Sequence, residues 1–157
     1  MGHGRGLALP LRFAQFPPML SPKKLDKQEA LACTMVLVAA ADGAISDREI
    51  GTMAALVQTL PIFQDFSADH LQQATDAAVR LLGESNGLAH GMQLIGDALE
   101  PRLRETAYAL ACEVIAADLS PDQASLQMLE YLVIELDVDP LVAAAIERGA
   151  RARHQRC

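Results

Sequence analysis

Apolar residues recur along this chain at the three-and-four spacing of helix faces, and capping signals divide the pattern into about seven segments. Ser21-Pro22 opens the first. Serine accepts hydrogen bonds from free first-turn amides, and proline at the first helical position has no amide to leave unpaired. The helix is predicted to reach about Ala41 and to contain the apolar run from Leu31 to Ala41. That run is too short to span a bilayer, which takes about 20 residues, so it reads as a buried helix. Asp42-Gly43 ends it, and Ser46-Asp47-Arg48-Glu49 forms a capping box for a second helix reaching about Leu60. Ser67 caps a third, with Leu71, Ala74, Ala78, Leu81 and Leu82 along one side and Gly83 as its stop. A fourth, weaker helix covers roughly Leu88 to Leu99, interrupted by Gly91 and Gly96. Pro101 starts a fifth that continues to Ala117. Ser120-Pro121-Asp122-Gln123 signals a sixth reaching about Leu136, and Asp139-Pro140 caps a seventh. The seventh ends in the basic residues Arg148, Arg151, Arg153 and Arg156, which complement the negative end of the helix dipole. A solvated helix end is the simpler reading of that tail; a basic docking site is the alternative.

The same pattern repeats. At an offset of 76 residues, Ala40-Ala41-Asp42 lies on Ala116-Ala117-Asp118. Ile50, Met53, Leu56, Val57, Leu60 and Ile62 then lie on Leu126, Leu129, Leu132, Val133, Leu136 and Val138. Each half supplies an apolar helix, an acidic corner and an amphipathic helix to cover it, and two such pairs can bury their apolar faces against each other. The expected architecture is all-α, about seven helices in one bundle-like domain with two pseudo-twofold related halves. The halves are about 22–82 and 101–153 within a domain of 21–153. Residues 1–20 form a proline-broken lead, irregular or docked, and 154–157 a basic tail.

Composition sharpens this picture. Apolar residues make up 51% of the 157, yet aromatics only 4%, with no Trp. Ala, Leu, Val, Ile and Met must therefore fill the core, and they suit close helix packing better than strands. A formal net charge of −7 argues against nucleic acid, because phosphate binding needs clustered Lys and Arg. Three widely spaced cysteines, Cys33, Cys112 and Cys157, contain no C-x-x-C pair. They fit a reduced, cytoplasmic setting, with Cys33 and Cys112 in the core and Cys157 an exposed thiol. The lead LALPLRFAQFPPML is broken by Arg12 and prolines, which disfavours a signal peptide and leaves membrane contact at most peripheral, through a partner or this segment.

The stretch from Asp42 to Glu49 resembles the second half of a calcium-binding EF-hand loop, with its glycine, aliphatic residue and terminal Glu. Val38 and Ala40 stand where the first two ligands belong, so a true EF-hand is disfavoured. A simpler reading makes Gly43 the turn, Ile45 a core plug, and Ser46 with Glu49 the cap. Glu113 interrupts an apolar helix at the position matching Leu37; it faces either the acidic corners or an exposed edge. No G-x-S-x-G, H-E-x-x-H or phosphate-binding glycine loop is present. His3, His70, His90 and His154 are scattered, and surface or packing roles are expected for them. The chain reads as no enzyme.

Two segments, VAAADGAISDREIGTMAALVQTL and the weaker copy EVIAADLSPDQASLQMLEYLVIELDVD, resemble the tellurite-resistance TerB family and its relatives, including the N-terminal helical domain of a DnaJ-like membrane co-chaperone. The resemblance covers about Pro22 to Arg148. It implies a helical fold with pseudo-twofold halves, acids clustered at the helix corners, a role in tellurite and other chemical stress, and a divalent metal ion as the one cofactor. On it, Asp42, Glu49 and Asp118 fall on the family's acidic positions. The second copy departs: Leu119 replaces the glycine, and the counterpart of Glu49 is Gln123 or Ser125, so Asp122 becomes the compensating candidate ligand. Protein partners or self-association are expected. Capping explains each of these acids equally well; if they do more, Asp42, Glu49 and Asp118 should converge on one face.

Overall fold

The computed structural model describes residues 24–118 and 120–157, and among them it has α-helices and no strand. Ten consecutive residues of α1 (Lys27–Ala39), from Ala30 to Ala39, are buried. A helix apolar on every side can be stable only at the centre of a bundle, and α1 is packed by α3 (Ala68–Leu82), α4 (Gly87–Ala98), α5 (Pro101–Ala116) and α6 (Gln123–Glu135). Its most extensive neighbour is α5, the other strongly apolar helix, which is itself covered by α2 (Asp47–Thr59), α6 and α7 (Pro140–Arg153). Alanines at Ala30, Ala32, Ala107 and Ala111, all fully buried, keep side-chain bulk low in these central helices.

Local chemistry sets most boundaries. Ser46 and Glu49 form the expected reciprocal box, and Gly43 takes φ 96°, a left-handed turn that glycine adopts at no steric cost. Ser67 caps α3; the N3 position carries His70, whose Nδ1 accepts from the Ser67 amide at 3.0 Å. Gly87 begins α4 so close to the preceding helix that a Cβ there would sit 1.7 Å from the Leu81 carbonyl oxygen. Arg104 closes the following corner by donating to the carbonyls of Leu99 at 2.9 Å and Gly96 at 2.8 Å.

Three expectations need correction. The first helix begins at Lys27, because Asp26 and Glu29 make a full capping box while residues 24–26 are non-helical; Ser21, Pro22 and the lead 1–20 lie outside the described residues. The sixth helix is capped by Asp122, whose carboxylate reaches the Ser125 amide, and Ser120 takes no part. The apolar register of α2 and α6 starts one turn later than the pattern suggests: Ile50 and Leu126 are 50% and 43% exposed. Cys33 and Cys112 are buried and Cys157 is exposed, as expected; burial pushes each of the first two thiols up to about 12.

Candidate functional site: the acidic helix corners

The first corner runs from the end of α1 to the start of α2. Asp42 is exposed and folds back on its own turn, its Oδ1 accepting from the Ala44 amide at 3.1 Å. Glu49, in the first turn of α2, is 3% exposed, and its Oε2 accepts from the Ser46 amide at 2.7 Å. A carboxylate so placed satisfies an otherwise free helix amide, but it gives up hydration to do so.

The second corner supplies Asp118, half-buried just beyond α5 and near enough for its charge to act on the Glu49 carboxyl. Burial raises the Glu49 pKa above its ordinary value, the hydrogen bonds from Ser46 oppose the rise, and the Asp118 charge adds to it. Two corners about half the chain apart in sequence thus share one electrostatic environment. Asp122 is fully exposed and caps α6, and hydrogen bonding to Ser125 holds its carboxyl below the usual range. Of the four candidate ligands, Glu49 and Asp118 come together, while Asp42 and Asp122 serve backbone amides of their own turns.

Among the described residues no group of three or more His, Cys, Asp and Glu side chains is placed to hold a metal ion. Two carboxylates fall short of the six to eight oxygens that calcium takes, but they match the one or two that magnesium accepts when water completes its shell. The pair does not make a closed protein cage.

Glu113 is engaged by the end of α7. Its side chain is only 15% exposed, and it binds the C-terminal segment: Oε1 accepts from the Arg153 guanidinium, with Nε at 2.6 Å, and Oε2 meets His154 Nε2 at 2.8 Å. The tail is therefore not a freely solvated helix end at Arg153 and His154. Periodicity could not reveal this pairing across 40 residues of sequence; the one signal was an acid interrupting an apolar helix.

Fold and site together define an acidic, all-α domain in which the Asp118 charge of one helix corner acts on the buried Glu49 of the other. The family model described as tellurite resistance protein TerB matches residues 28–148, and the chain belongs to that family. No curated protein and no solved structure matches it. Among the described residues no helix is long and apolar enough to cross a membrane.

Proposed function

We propose that this chain is a non-enzymatic, acidic interaction module acting in the cytoplasm in a bacterial response to tellurite or related chemical stress. The observation that carries the reading is a nearly buried Glu49 in the first turn of α2 on which the Asp118 charge acts from beyond α5. Capping alone accounts for the placement of Asp42 and Asp122, but it gives no reason for a second carboxyl beside the buried Glu49. Exposed Ile50 and Leu126, in the first turns of α2 and α6, add apolar area next to acidic corners, a combination suited to protein contact. A divalent cation shared with water or a partner would relieve the repulsion of the pair.

A second reading, a helical scaffold whose acids only cap, draws support from the backbone hydrogen bonds that Asp42, Glu49 and Asp122 each accept. Calorimetric titration of chelator-stripped protein with calcium, magnesium, manganese and zinc separates the two. The module reading expects one of these ions to bind, with affinity lost in Asp118→Asn and nearly kept in Asp42→Asn. A protein that binds none of them, and gains no thermal stability from any, leaves the scaffold.

A further inference from the structure

Glu113 presents a problem that the fold solves with its own tail. An acid on the largely apolar helix α5, with a side chain 15% exposed, is costly unless cationic or N–H donors meet it. Both of its oxygens are met by one short segment, through Arg153 and His154. Beyond Glu113, the end of α5 (Ala116, Ala117, Asp118) and the tail (Arg153 to Arg156) face each other across an open cavity of about 550 Å³.

The contact is polar, and residues 151–157 remain exposed. No buried apolar side chain holds Arg153 to Cys157 in place. Charge-assisted hydrogen bonds of the same kind can be made by an arginine or histidine of another chain. What the end of α5 requires is the donor chemistry, and it can be supplied in cis or in trans.

We propose that the end of α5, with Glu113 and Asp118, is a receptor face for an arginine- and histidine-bearing peptide segment, held closed in cis by residues 153–156. The inference rests on the reading of the acidic corners as a binding face and names the partner chemistry. A partner segment binds by displacing the tail.

The test uses the full chain and a fluorescent peptide of its own residues 148–157 with Cys157→Ser. The Arg153→Gln/His154→Gln protein is expected to bind this peptide about ten-fold more tightly than the wild type, because its own tail no longer competes. Adding Glu113→Gln should remove the gain, and a peptide with glutamine at every Arg and His should not bind. Equal affinity for the wild type and the double variant, or binding that persists with Glu113→Gln, overturns the proposal. As a second readout that perturbs the fold less, trypsin should cut full-length Glu113→Gln after Arg151 and Arg153 about ten-fold faster than the wild type; equal rates count against it. The cation titration is run on the same proteins. A cation response without peptide binding overturns the receptor face and leaves the acidic-module reading, whereas absence of both removes both.

Discussion

Glu49 carries conflicting demands. Its carboxylate caps the Ser46 amide, which favours the charge, yet it is nearly buried and Asp118 stands beside it, both of which oppose the charge. The opposing effects win, and the folded-state pKa lies above the ordinary value of 4.5. The folded protein therefore holds this proton more tightly than the unfolded chain does. The stabilisation that this brings is complete below about pH 4.5 and is lost as pH rises through the folded pKa. Glutamine keeps an acceptor for Ser46 and does not titrate. Glu49→Gln is accordingly expected to gain on the wild type as pH rises above about 4.5, measured by urea unfolding at several pH values. A constant difference across that range contradicts the assignment. The cap itself could be read from Ser46-x-x-Glu49, because both partners lie within one turn. The burial of Glu49 could not, since it depends on which helix covers the corner.

Helix ends were readable wherever a short-range hydrogen bond decides them. Ser46, Ser67, Asp139 and Gly83 stand at the ends they signal. The start of α1 shows the limit: Ser21-Pro22 is a sound local signal, yet the helix at Lys27 opens on the box between Asp26 and Glu29. The end of α6 carries no glycine to mark it, yet it closes as a Schellman motif, with Val138 N donating to the Val133 carbonyl and Asp137 N to that of Ile134. Asp137 holds φ 52° there, a left-handed conformation that a side chain opposes, at the negative end of the helix dipole. Asp137→Gly removes both penalties and is expected to stabilise the protein by about 1 kcal/mol, read as a higher denaturation midpoint with an unchanged slope. Loss of stability on this change would mean that Asp137 makes a contact which outweighs its backbone strain.

At the scale of the whole molecule, α2 and α6 begin and end 76 residues apart, at the offset of the sequence repeat. Their N3 residues, Glu49 and Ser125, are both buried, but only the first is acidic. That asymmetry was visible in the sequence, as was the chance that equivalent corners could meet. Which acids act on each other was not visible, because Asp42 satisfies an amide of its own turn while the Asp118 charge acts on Glu49. The Glu113 clamp on Arg153 and His154 escaped for the same reason, being a tertiary pairing with no periodic signature. The acids of the two corners act on each other electrostatically. Carbon-detected NMR titration of the Glu49 side-chain carboxyl, in the wild type and in Asp118→Asn, tests this most directly. The wild-type midpoint is expected above the ordinary glutamate value and should move down when the Asp118 charge is removed. A Glu49 midpoint at or below the ordinary value, or one that ignores Asp118→Asn, would contradict it.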